Sequence, residues 1–186
     1  MLDLSKIEAG KLDYHFEDIN INSVIECVKA TTVLTKDKVH NLLTEEAQNL
    51  PLVKADSQRL EQILTNLVSN AVKFTPEGKS ITIKSELIDA DDITCPDVFE
   101  PVVSGLNGKY VMISVADEGI GISKDNLLHV FDKFAQIENS LSRNVGGSGL
   151  GLPIAKQLIE AHNGAIWCDS EPNKGAVFSF VVPAED

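Results

Sequence analysis

The 186-residue chain predicts an α+β domain, a sandwich of helices packed on a sheet, and three observations carry that prediction. Strand-like alternations outnumber the long helical periodicities. The strands come as hairpin-like neighbours, 80–88 with 110–116 and 165–169 with 176–182, and not in the regular alternation of a doubly wound parallel sheet. Hydrophobic residues make up 43% and charged residues 24%, a balance that supports one ordinary core and excludes a disordered chain. No internal repeat is visible.

The elements follow in order. Leu2, Leu4, Ile7 and Leu12 fit the last turns of a helix closed near Gly10, so residues 1–10 are expected to be the tail of a longer helix. Across 11–21, Leu12, Tyr14 and Phe16 alternate with Asp13, His15 and Glu17, the pattern of a half-buried strand. Asn22 or Ser23 is the expected cap of a helix carrying Val24, Ile25 and Val28 on its apolar side. A short strand is expected at 39–44, and 50–55 leads into Asp56-Ser57 as a helix start. The helix 56–74 is the best defined, with Leu60, Ile63, Leu64, Leu67, Val68, Ala71 and Val72 on one face. Thr75-Pro76-Glu77-Gly78 ends it. Between strands 80–88 and 110–116, residues 89–108 are acidic and broken by Pro96, Pro101, Gly105 and Gly108, which predicts a surface insertion. A short helix at 124–130, a polar loop at 136–149, a helix at 150–162 and strands at 165–169 and 176–182 complete the chain.

Charge and composition remove several functions. The net charge of −12 argues against a sequence-independent grip on nucleic-acid phosphates. No stretch reaches the roughly 18 apolar residues of a membrane span, and the mixed-charge opening does not read as a secretory leader. Cys27, Cys95 and Cys168 are odd in number and widely spaced, which fits reduced thiols in a cytoplasmic compartment.

Three motifs carry chemistry. On helix 56–74, Asn66, Asn70 and Lys73 fall within roughly 60° of one another, away from the leucine face. Such a stripe either faces water or offers amide oxygens to Mg²⁺ and an ammonium to phosphate. Asp117-Glu118-Gly119-Ile120-Gly121 follows a strand. It is either a capped turn or a carboxylate acceptor beside a backbone that a flat ligand can approach. An acceptor there suits the exocyclic amine of adenine and repels the corresponding oxygen of guanine. Gly146-Gly147-Ser148-Gly149-Leu150-Gly151-Leu152 enters a helix, as a flexible connection or as a cradle of backbone N–H groups for phosphate. Neither a Walker A loop nor GxGxxG is present, because Gly78-Lys79-Ser80 has Lys73 where the first glycine would stand and Leu152 occupies the last glycine position of the loop.

Taken together and in this order, the motifs resemble the ATP-binding catalytic domain of sensor histidine kinases, in the wider family of gyrase, Hsp90 and MutL. Asn66 to Thr75 resembles the N box, Asp117 to Gly121 the G1 box, Phe131-Asp132-Lys133-Phe134 the F box, and Gly147 to Leu152 the G2 box. The likeness spans 11–183, and residues 2–12 resemble the end of the dimerisation helix that precedes such domains.

The resemblance implies a Bergerat-type two-layer sandwich, a mixed sheet with helices on one face and a mobile ATP lid at 135–147. Residues 11–186 would form the catalytic domain. Asp117 would bind the adenine amine beside Gly119 and Gly121, Asn70 would coordinate Mg²⁺, and Asn66 and Lys73 would act at the metal and phosphates. Gly147, Gly149, Leu150 and Gly151 would close over the triphosphate, and Phe131 and Phe134 would anchor the lid. Arg143 would be either a second phosphate contact or a solvated loop residue. Hydrolysing relatives carry glutamate where Asn66 stands, and an amide cannot take a proton from water. Gln136 after the F box, followed by Ser140 to Arg143, resembles hybrid kinases.

The implied reaction moves the γ-phosphoryl group of ATP to a histidine on a separate dimerisation domain, with a response-regulator receiver downstream and no nucleic acid or membrane contact. No His-Glu or His-Asp acceptor pair occurs in this chain; His15, His40, His129 and His162 read as structural or solvent-facing. An ATPase clamp, or a nucleotide-binding module without transfer, is the alternative.

Overall fold

The computed structural model describes residues 12–35, 40–135 and 149–185. Five strands form a mixed sheet: β2 (Asn41–Glu46), β4 (Ser80–Asp89), β5 (Lys109–Asp117), β7 (Ala176–Pro183) and β6 (Ala165–Ser170), in that spatial order. Only the β2–β4 pair is parallel. A small antiparallel ribbon of β1 (Glu17–Ile19) and β3 (Val53–Ala55) forms a second sheet, joined to the chain after β7 by a Val53–Ala184 bridge. Helices α1 (Ile21–Thr35), α2 (Ser57–Phe74) and α5 (Gly151–Ala161) pack side by side on one face of the sheet, α2 against β4 and β5, α5 against β6 and β7. The sandwich expected from the strand pattern is the architecture found. Among the described residues, no helix is long and apolar enough to cross a membrane.

Helix α2 sits where its periodicity puts it because its signals are local. All seven apolar residues of its stripe are buried, and Asp56 caps its start by accepting from the Arg59 N–H at 3.1 Å. Thr75 turns extended, its N–H reaching back to Ala71 O, and Pro76 cannot continue the helix. Each fully buried leucine or isoleucine on that stripe contributes about 1.5–3 kcal/mol.

Two boundaries differ from expectation. The strand expected across 11–21 is only β1, since its sole partner, β3, is three residues long and offers no further ladder. Helix α1 is capped by neither Asn22 nor Ser23. Asn20 accepts from both of their N–H groups, by its side chain and its carbonyl respectively. Asn22 instead donates to Ala47 O and accepts from Ser85 Oγ, tying α1 to the sheet.

Residues 90–108 make two 3₁₀ turns and a four-residue helix, α3 (Glu100–Val103), which packs against β6. Tyr110, Ala165, Trp167 and Val181 alternate onto the sheet face away from the long helices, yet all are buried. Ile93, Val98, Phe99, Val103 and Leu106 of this segment pack against the same core.

The segment 12–16 is fastened by His162. The Asp56 N–H donates to His162 Nε2 (3.0 Å), and Nδ1–H of the ring donates to Leu158 O (2.7 Å). Asp56 Oδ2 accepts from the His15 N–H at 2.9 Å, while Tyr14 and Phe16 lie 5.9 and 5.1 Å from the imidazole. His162 is therefore structural and neutral, its pKa pushed below 6.5 mainly by burial. A depressed folded-state value makes its contribution complete above about pH 6.5 and lost as pH falls towards the lower value. Urea unfolding at stepped pH will show stability declining below pH 6.5, and His162→Gln will flatten that part of the profile.

Candidate functional site

The β5 strand ends at Asp117, opposite Ile81 of β4 and Ala176 of β7. Its side chain accepts from the Gly119 N–H at 2.8 Å and from the Ala176 N–H. Burial raises its pKa above 3.8, and these two amide bonds oppose that rise. A Cβ at Gly119 would lie 2.5 Å from Asp117 Oδ1 and 2.6 Å from Phe74 O, so only glycine lets the loop pass this close. Gly121 has φ +66°, and a Cβ there would overlap the Glu171 carbonyl oxygen.

The loop is pinned on both sides. Ile120 N–H reaches Phe74 O at the end of α2, and Ile120 O accepts from Asn173 N–H at 2.7 Å. Ile122 N–H donates to Ser170 Oγ, whose hydroxyl donates to Gly175 O. The carboxylate thus stands on a rigid platform built from β5, the β6–β7 turn and the C-terminus of α2.

Beside it lies an apolar cavity of about 80 Å³. Asn70 and Phe74 come from α2, Ile120, Gly121 and Ile122 from the loop, Val130 from the turn after helix α4 (Lys124–Leu127), and Leu152 from α5. Ala176 and Phe178 of β7 complete the wall with Asp117. One anionic acceptor at the rim of an apolar slot suits a flat heteroaromatic ring bearing an N–H donor.

Of the residues singled out in the sequence, the structure gathers Asn70, Asp117 and Gly121 on this cavity, with Gly119 directly behind the carboxylate. Asn66 lies one turn away, its Nδ2 donating to Gly151 O at 3.1 Å, which ties α2 to the first turn of α5. Leu150 is buried beside that contact. Lys73 does not line the cavity; its Nζ lies 4.7 Å from the centre of the Phe74 ring. Phe131 is half-buried and meets Phe99 and Phe178 edge-on. Phe134 is 62% exposed, and its backbone carries the contact, its N–H donating to Gly149 O at 3.2 Å. Both Phe134 (φ 61°) and Gly149 (φ 66°) are left-handed. Arg143, Gly147 and all of the expected lid except Ala135 lie outside the described residues.

The motifs in the sequence did not point to the apolar wall. Ala176 and Phe178 alternate like any core strand, and only the β5–β7 register, which sets Ala176 opposite Asp117, could have placed them here.

Among the described residues, no group of three or more His, Cys, Asp or Glu could hold a metal. The Asn70 carboxamide borders the cavity without a hydrogen bond among the described residues. One neutral hard oxygen fits Mg²⁺ that keeps water and phosphate oxygens as its remaining ligands.

A helix-on-sheet sandwich with a lone carboxylate at an apolar cleft, faced by an amide-bearing helix, is the architecture of an ATP-binding class of domain. The chain belongs to the family described as histidine kinase-, DNA gyrase B-, and HSP90-like ATPase, whose profile matches residues 55–186. It is 40% identical over 182 residues to the sensor protein GacS of Pseudomonas syringae pv. syringae, covering 96% of this chain and 18% of that protein. It is 33% identical over 190 residues to the sensor histidine kinase WalK of Bacillus subtilis (strain 168), covering 100% of this chain and 28% of WalK. The chain thus spans less than a third of these relatives. Among solved structures, full-length ShkA in complex with AMPPNP superposes with a TM-score of 0.74 at 27% identity, covering 98% of this chain and 34% of ShkA. The catalytic domain of histidine kinase ThkA gives 0.68 at 28% identity, over 91% of this chain and 96% of that one.

The crowding at Gly121 is testable. Gly121→Ala forces a left-handed alanine against the Glu171 carbonyl and will cost on the order of 2–4 kcal/mol in urea unfolding.

Proposed function

We propose that this chain is the nucleotide-binding catalytic part of a sensor kinase, holding Mg-ATP and passing its γ-phosphoryl group to a histidine on a separate helical dimerisation domain. The observation that carries the reading is the Asp117 carboxylate, fixed by the Gly119 and Ala176 amides at the mouth of an apolar cavity. Adenine enters that cavity, and its amine donates to Asp117. The apolar walls exclude water from the base, which strengthens the single polar contact.

Asn70 offers its amide oxygen to Mg²⁺, and bound Mg²⁺ neutralises charge on the phosphate oxygens. Lys73, at the end of the same helix, lies with the phosphates in this reading, as do Gly149 and Gly151 at the entry to α5. Arg143 and Gly147 are assigned to the phosphates by the same reading. Asn66 braces α2 against α5 and supplies no base, so bound ATP is spared rapid hydrolysis. The residues here position the nucleotide and balance its charge; the acceptor histidine and any base belong to the partner domain. A receiver domain of a response regulator is the expected next acceptor.

Asp117→Asn replaces an ionic acceptor with an amide. Calorimetry will show ATP affinity reduced by about 30-fold or more in a folded protein. Because the acceptor is lost on protonation, wild-type affinity will also weaken as pH falls through the raised Asp117 pKa. Asn70→Ala will remove most of the Mg²⁺ dependence of triphosphate binding, measured by titration with and without the metal. With γ-labelled ATP and a supplied dimerisation fragment, label will appear on the fragment; free phosphate alone would mark an ATPase, and binding alone a regulatory module.

A further inference from the structure

Residues 90–108 leave β4 and return to β5 through a neck closed by the Ala90 N–H on Gly108 O at 2.9 Å. Within this segment Phe99 is only 6% exposed, its backbone held by a hydrogen bond from its N–H to Pro96 O. Its ring meets Phe131 at 5.8 Å and 77°. Phe131 in turn meets Phe178 at 6.3 Å and 89°, and Phe178 is a wall of the cavity beside Asp117. Val130, next to Phe131 in the chain, lines the same cavity. Three rings therefore run from the insertion to the site. The insertion is itself seated on the sheet, with α3 against β6.

We infer that Phe99 is a positioning residue for nucleotide binding, holding Phe131 and thereby setting Val130 and Phe178 at the cavity wall. The inference rests on the nucleotide occupying that cavity. Phe131 is half-buried with two ring partners, and edge-to-face geometry fixes its orientation only while both are present. Removing Phe99 frees one edge, and the neighbouring wall loses its reference.

The test uses the full chain with Phe99→Leu, Phe131→Leu, the double variant and Val103→Ala, which removes an apolar contact of the insertion and keeps all three rings. ADP affinity is measured by calorimetry, thermal stability by circular dichroism, and the methyl spectra of Val130 and Leu152 are recorded without nucleotide. Phe99→Leu and Phe131→Leu will each weaken ADP about three- to tenfold, with the double variant no worse than the weaker single one. Val130 and Leu152 methyl signals will move in Phe99→Leu, while Val103→Ala will lower the melting temperature and leave affinity unchanged. Unchanged affinity and methyl signals in Phe99→Leu would overturn the inference. Equal weakening in Val103→Ala would overturn it too, by showing general loosening. Wild-type chain that binds no ADP, with methyl signals still responding to Phe99→Leu, would overturn the proposed function while supporting the contact between the rings.

Discussion

Everything at the site depends on keeping one carboxylate dry and pointed. Asp117 ends the central strand of the sheet, where burial disfavours its charge, and among the described residues the Gly119 and Ala176 amides compensate. Neither amide can be supplied locally by choice of side chain. One requires a backbone turn so close that Cβ is excluded, the other requires β7 in register with β5. The β6–β7 turn, the loop after β5 and the end of α2 are hydrogen-bonded together at this point, so the group's direction is set by the whole sheet edge.

The helix layer answers a second constraint. An amide on α2 can face the cavity only if the leucine stripe behind it is buried without slack, and all seven stripe residues are. Asn66 then spends its donor on Gly151 O, joining α2 to α5, while Asn70, one turn later, stays unpaired among the described residues. The two asparagines look equivalent on a helical projection and have different tasks in the fold.

That difference marks the limit of what was legible beforehand. Helix α2, its cap and its stop could be read because their causes lie within a few residues of each other. The Gly119–Gly121 loop could be read because a carboxylate and two glycines at a strand end have few other uses. The short β1 could not, because strand length belongs to the partner, β3, which lies beyond α1 and β2 in the sequence. Ala176 and Phe178 hid among core residues, since alternation reports burial but not what a buried face encloses. Phe99 hid within an acidic, proline-broken segment whose average composition suggests water, although a single ring there is buried.

Phe134 and Gly149, far apart in the sequence, are hydrogen-bonded to each other through their backbones. Whatever runs between them closes a ring whose ends the fold already holds in place. Closure entropy grows only with the logarithm of length, about 0.6 kcal/mol for each doubling. A change in the number of residues between them therefore adds little closure entropy to the cost of forming the sheet and the carboxylate platform.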